Sequence, residues 1–187
     1  MIIAAPPAIK ACATYEVAKL PGLTNKANSP NCRWQVSWSD KVNGGDNAFV
    51  IDRRSGLAIY HFEMAHTARV YWQRDGRSLI VNLDPGPGED GTALVISLTA
   101  IRSKPIDLSL EVLPNVYRRS QFSHTDTTSW ISYITTRKDE WIVSAQLETT
   151  PGGLPGKESA CYLYAVKSFK PTQIRLVGVH TDCTESS

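Results

Sequence analysis

Four histidines and four cysteines are the most chemically versatile side chains of this 187-residue chain. The histidines are His61, His66, His124 and His180, and two of them open the same tripeptide, His124-Thr125-Asp126 and His180-Thr181-Asp182. A carboxylate two residues from an imidazole is able to orient the ring or to share a metal ion with it. Thr and Asp are also ordinary turn formers, and both tripeptides lie in polar sequence, so a turn is the simpler reading and no metal site is assigned. A serine hydrolase needs a strained nucleophile turn such as Gly-x-Ser-x-Gly, and the sequence has none. Ser123 and His124 are neighbours and alternate sides of an extended backbone, so they make no dyad locally. A P-loop, a Gly-x-Gly-x-x-Gly turn and an EF-hand loop are all missing from the sequence. Asp84-Pro-Gly-Pro-Gly-Glu-Asp90 carries three carboxylates, which suits Ca²⁺, but its central Pro and Gly residues read more simply as a turn. The expectation is a chain with no catalytic set and no cofactor.

The cysteines are Cys12, Cys32, Cys161 and Cys183, two near each end of the chain. An even count allows three pairings, of which Cys12–Cys32 with Cys161–Cys183 is the simplest. Each such bridge closes a loop of about 20 residues and stabilises by roughly 3 kcal/mol in the chain-entropy description. No pair has Cys-x-x-Cys spacing, which argues against a zinc knuckle or a thioredoxin-like site. Disulfides imply an oxidising compartment, periplasmic or secreted. The N-terminus, Met1-Ile-Ile-Ala-Ala-Pro-Pro7, lacks the basic region and long apolar core of a whole signal peptide. It fits a start placed on a mature exported protein, or the tail of a cleaved signal.

These groups need elements to position them. Hydrophobic residues make up 42 % of the chain and charged residues 20 %, ordinary values for a globular protein. The net charge of +2 gives no argument for nucleic acid, and no apolar run reaches the roughly 18 residues of a membrane span. Eleven Pro, twelve Gly and five Trp point to a turn-rich β protein. Arg33–Trp38 alternates with period two, with Trp34, Val36 and Trp38 on one face. Residues 39–46 read as a polar loop, 47–52 and 57–63 as strands, and 53–56 as the turn between them. Val70–Gln73, Ser78–Leu83 and Thr92–Leu98 are three further strands. Asp75-Gly76 supplies the positive-φ turn of the first hairpin, and 84–91 is a Pro/Gly loop. Ile106–Leu113 alternates weakly, and 115–129 reads as a long polar segment of the kind that tends to be functional. Residues 130–166 repeat the strand, turn, strand, Pro/Gly loop, strand plan of 70–98, and 173–179 is one more strand. The five Trp fall in or beside strands, which favours core packing over a binding face. Arg118-Arg119 reads as a solvated pair.

The turn Trp72-Gln73-Arg74-Asp75-Gly76-Arg77 resembles the Trp-Ser-Pro-Asp-Gly-Lys/Arg signature of TolB-like and WD-repeat-like propeller blades, with Gln73 and Arg74 in place of Ser-Pro. The Asp52-x-x-Ser-Gly56 ending resembles the hairpin that joins one blade to its neighbour. The resemblance covers about one blade and implies architecture, not chemistry. The fold expected is all-β, a partial or irregular β-propeller of antiparallel blade-like sheets, with a β-sandwich as the fallback. Residues 1–32 are expected to form an arm packed on a single domain of residues 33–187.

A small disulfide-tied β protein of this kind is similar in style to the periplasmic immunity proteins that bacteria use against cell-wall hydrolases of type VI secretion. That resemblance implies an exported, non-enzymatic protein-binding module, an inhibitor that occludes the active site of an amidase or other hydrolase effector. The candidate partner-binding residues are Gln121, Ser123, His124, Thr125, Asp126, Thr127 and Thr128, whose hydroxyl, imidazole and carboxylate groups suit a polar cleft. The alternatives are a secreted hydrolase using His124 and Asp126, and an envelope-assembly module of the TolB-like kind.

Overall fold

The computed structural model describes residues 17–20, 26–42, 45–64, 66–74, 76–86, 89–99, 104–120, 127–149, 159–168 and 170–180. Among the described residues, thirteen strands and one helix follow in the order β1 (Val17–Leu20), β2 (Lys26–Asn28), β3 (Trp34–Val42), β4 (Gly45–Asp52), β5 (Ala58–Met64), β6 (Thr67–Trp72), β7 (Ser78–Asp84), β8 (Thr92–Ser97), β9 (Ile106–Asp107), α1 (Leu108–Arg119), β10 (Thr127–Arg137), β11 (Glu140–Thr149), β12 (Ser159–Lys167) and β13 (Ile174–His180). They form three antiparallel sheets: an N-terminal sheet β2-β3-β4-β5, a central sheet β1-β6-β7-β8-β9 and a C-terminal sheet β10-β11-β12-β13. The all-β class read from the sequence therefore holds, and no sheet closes on itself.

The central sheet is covered on both faces. Along β7, Leu79 and Val81 pack with Trp34, Val36, Trp38, Val50 and Phe62 of the N-terminal sheet. The intervening Ile80 packs with α1 and with Ile131, Trp141 and Val143 of the C-terminal sheet. The unbroken apolar run Leu79-Ile80-Val81 is what a strand buried on both sides requires. The N-terminal sheet has one covered face, and β3 alternates in the buried–intermediate pattern of Trp34–Trp38, whereas β11 and β12 of the C-terminal sheet carry buried runs at Trp141–Val143 and Tyr164–Val166. Four of the five Trp are buried and Trp130 is half-buried, as core packing demands.

Two local readings need correction. Residues 108–119 are helix, where the sequence suggested a weakly alternating strand followed by the polar segment 115–129. Period two would bury Leu108, Leu110 and Val112 together, yet Leu110 is 73 % exposed while Leu108, Val112 and Val116 are fully buried, at the four-residue spacing of one helix face. Asp107 caps the helix by accepting hydrogen bonds from Ser109 N (2.9 Å) and Ser109 Oγ (2.7 Å). Pro114 in the second turn disguised the segment, because proline removes a helical hydrogen bond. Residues 39–46 are not simply a loop: β3 runs to Val42 and β4 starts at Gly45, with Val42 paired to Gly45 across a shifted register. Within the expected arm, 17–20 and 26–28 are strands, β1 beside β6 and β2 beside β3.

The expected turns are present. Gly76 has φ +61°, the geometry for which Asp75-Gly76 was read as a hairpin turn. Its open Cα face lies against the N-terminal sheet's loop, where a Cβ would collide with the Asn31 side-chain amide.

Candidate functional site

The central and C-terminal sheets are tied together along β7, β8 and β10. Asn82 of β7 acts as a side-chain strand partner for Tyr133: its Nδ2 donates to Tyr133 O (2.9 Å) and its Oδ1 accepts from Tyr133 N (2.9 Å). Gly91 N donates to Ser129 O (2.8 Å), and Ile131 N donates to Gly91 O (3.0 Å). A Cβ at Gly91 would come within 2.6 Å of Trp130, so only glycine permits this approach. Asp90 Oδ1 accepts from both Ser129 N (2.7 Å) and Ser129 Oγ (2.8 Å).

Beyond Asn82 the two sheets part, and a cleft of about 740 Å³ opens between the β6–β7 turn, the β10–β11 turn and the end of β12. A β-bulge between Tyr133 and Thr135 of β10 lies on its wall and leaves Ile134 46 % exposed at the lip. The floor is a closed polar triad. Thr136 Oγ1 donates to Gln73 Oε1 (2.8 Å), Gln73 Nε2 donates to Tyr133 Oη (3.4 Å), and the Tyr133 and Thr136 hydroxyls are 2.9 Å apart. Tyr71 meets the Tyr133 ring edge-on at 4.9 Å between centroids. Trp72, also on the wall, has a buried indole N–H with no hydrogen-bond partner.

Three cations line the rim, Arg74, Lys138 and Lys167, against one carboxylate, Asp139. Asp139 pairs with Lys167, whose hydrogen bond holds the carboxyl below its ordinary pKa. Neither Arg74 nor Lys138 forms an ion pair with a described residue. Next to the rim, Glu140 accepts from Arg175 Nη2 (2.6 Å) and Nε (3.2 Å), which likewise lowers its carboxyl pKa. The cleft was not singled out from sequence; the Trp72–Arg77 turn that forms one side of it was read as architecture alone.

Of the residues read as partner-binding, Gln121, Ser123, His124, Thr125 and Asp126 lie outside the described residues. Thr127 and Thr128 open β10, and Thr128 is only 6 % exposed, so its side chain belongs to the base of the segment. The described residues that flank 121–126 are held in place. Ser120 N donates to Val116 O (2.9 Å) at the end of α1, and the hydroxyls of Tyr117 and Thr127 are 3.4 Å apart. Arg118 and Arg119 are exposed in the last helical turn, where cations suit the helix dipole. Behind this turn, burial raises the pKa of Tyr164, partly offset by the charge of Arg119, and the Tyr164 hydroxyl has no hydrogen-bond partner among the described residues.

Among the described residues, no three His, Cys, Asp or Glu side chains group as metal ligands. In the 84–91 loop, Asp84 accepts from Gly86 N (3.1 Å) and Asp90 from Ser129, which matches the turn reading of that stretch. His180 ends β13 and is exposed. Cys32 and Cys161 are not free thiols, while Cys12 and Cys183 lie outside the described residues. Cys32 adopts φ +57° in a turn held by Cys32 N donating to Ser29 O (2.9 Å) and by Arg53 Nη1 donating to Cys32 O (2.8 Å). No described helix is long and apolar enough to cross a membrane. Comparisons with protein-family models, with curated proteins and with solved structures yield no match to this chain.

Proposed function

We propose that the chain is an exported protein-binding module, an inhibitor or immunity protein that occludes the active site of a cell-wall hydrolase such as an amidase. Residues 121–126 enter the cleft of the hydrolase, with His124 and Asp126 pairing with its polar groups and Thr127 and Thr128 forming the base. The observation that carries this reading is the anchored stem, α1 on one side and β10 on the other, joined at Tyr117 and Thr127. A loop fixed at both ends loses less conformational freedom on binding than one on a free stem. The bound state of the Cys32 and Cys161 sulfurs fits an oxidising compartment, with Cys12–Cys32 and Cys161–Cys183 as the proposed pairs. We further read the three successive sheets as blades of an irregular propeller, which presents its connecting segments at the strand ends.

The test uses the oxidised protein as bait in envelope and secreted fractions of the source organism. The expected result is one stoichiometric hydrolase whose activity the bait inhibits, with His124→Ala and Asp126→Ala weakening the inhibition. Recovery of envelope lipoproteins alone would move the chain to an assembly role. Turnover by the chain itself, lost by orders of magnitude in His124→Ala, would make it an enzyme instead.

A further inference from the structure

We infer that the cleft between the central and C-terminal sheets is a second binding site, one that takes an extended acidic peptide segment of a partner protein. The inference uses none of residues 121–128 and stands apart from the loop reading. Three observations carry it.

The first is charge. Arg74 and Lys138 sit on two different turns that line the same space, and neither is in an ion pair with a described residue. The ion pair of Asp139 is with Lys167, and the nearby charge of Lys138 adds to the lowering of its carboxyl pKa. The three cations of the rim against one carboxylate leave it positive, and their origin on separate elements suits carboxylates spaced along a chain. The second is the floor. The Gln73 amide and the Tyr133 and Thr136 hydroxyls hold one another in place, so their remaining donors and acceptors are preorganised for the amide groups of a peptide. The third is size and surface. A volume of about 740 Å³ falls within the range of ligand clefts. The half-exposed Ile134 at the lip gives an apolar contact beside the charges. A nucleic acid is the poorer fit, because the rim has only three cations against one carboxylate and the chain as a whole carries +2.

The experiment titrates the full oxidised chain, ¹⁵N-labelled, with a synthetic Asp/Glu-rich hexapeptide at low salt. The Lys-for-acid counterpart, oligothymidylate and inorganic phosphate are run in parallel. The expected result is saturable shifts confined to the Gln73 side-chain amide and the amides of Arg74, Thr136 and Lys138. The double variant Arg74→Gln, Lys138→Gln should weaken peptide binding about tenfold, since both lost charges face the ligand. Both side chains are exposed, so the variant keeps its fold, checked by its amide spectrum. His124→Ala should leave this binding unchanged, which separates its failure from that of the loop reading. Equal binding of the basic peptide, shifts spread over the surface, or an unchanged affinity in the double variant would each overturn the inference. Oligothymidylate or phosphate binding as tightly as the peptide would replace it with a general anion site.

Discussion

Single side chains decide where the sheets meet. Asp90 accepts two hydrogen bonds from Ser129, a residue with 1 % of its surface exposed. Asp90→Ala leaves the buried Ser129 hydroxyl unpaired along with its backbone N–H, and should cost about 1–3 kcal/mol in urea unfolding. Asp90→Asn, which still accepts through its carbonyl oxygen, should lose less; equal losses for the two variants would assign the effect to charge. Gly91→Ala drives a methyl group into Trp130 and should cost at least as much. None of this was legible in the sequence. Asp84–Gly91 announced a turn through its Pro and Gly content, but the target of Asp90 lies 39 residues away, and no spacing rule connects such a pair. The Asp-Gly turn at Gly76 was legible because its geometry is set locally, by one residue free to take positive φ.

At the scale of elements, strands with two-residue periodicity were read nearly to their ends, and α1 was missed. The cause is physical. Ile106, Leu108, Leu110 and Val112 alternate, while Leu108, Val112 and Val116 define a helix face, so both periods fit the same residues until Leu110 is seen to be exposed. Asp107 was the available signal, an N-cap residue just before the apolar face. Asp107→Ala should lower stability by about 0.5–2 kcal/mol, read as a shift of the unfolding midpoint. Pro114→Ala should raise it, since proline inside a helix costs up to about 3 kcal/mol; no gain would mean that proline is accommodated at this position without cost. The β10–β11 turn carries a pH-dependent tie. Asp139 and Glu140 have carboxyl pKa values lowered on folding, by the hydrogen bonds from Lys167 and Arg175 respectively. Their contribution is present above the ordinary carboxylate range and is lost as pH falls through the lowered values. Both are exposed pairs, so the effect is small and local; carboxyl chemical-shift titration should find both midpoints below those of free side chains, and unshifted midpoints would remove the tie.

For the whole molecule, the contrast between a central sheet covered on both faces and an N-terminal sheet covered on one was partly visible in Leu79-Ile80-Val81 against the alternation of Arg33–Trp38. The cleft was not visible, because it is made where two sheets part, and sheet-to-sheet geometry leaves no periodic mark. The core has its own pH limit. Tyr164, 1 % exposed, has a raised pKa through burial, so the native state holds its proton more tightly than the unfolded chain does. Stability is unaffected by it below about pH 10 and falls as pH rises above that value. Tyr164→Phe, which also removes the unpartnered hydroxyl, should unfold at higher pH than the parent in a tyrosinate-absorbance titration. The pairing of β1 with β6 has a consequence for assembly in time. β1 precedes the N-terminal sheet in the chain and β6 follows it, so β1 waits unpaired while all four strands of the neighbouring sheet are made. Until β1 docks, β6 is an uncapped template for any strand, including the β6 of another molecule. β1 thus waits longer in sequence for its partner than the strands joined by short turns, and the interval before the two meet is the period when the chain is most open to pairing with its own kind.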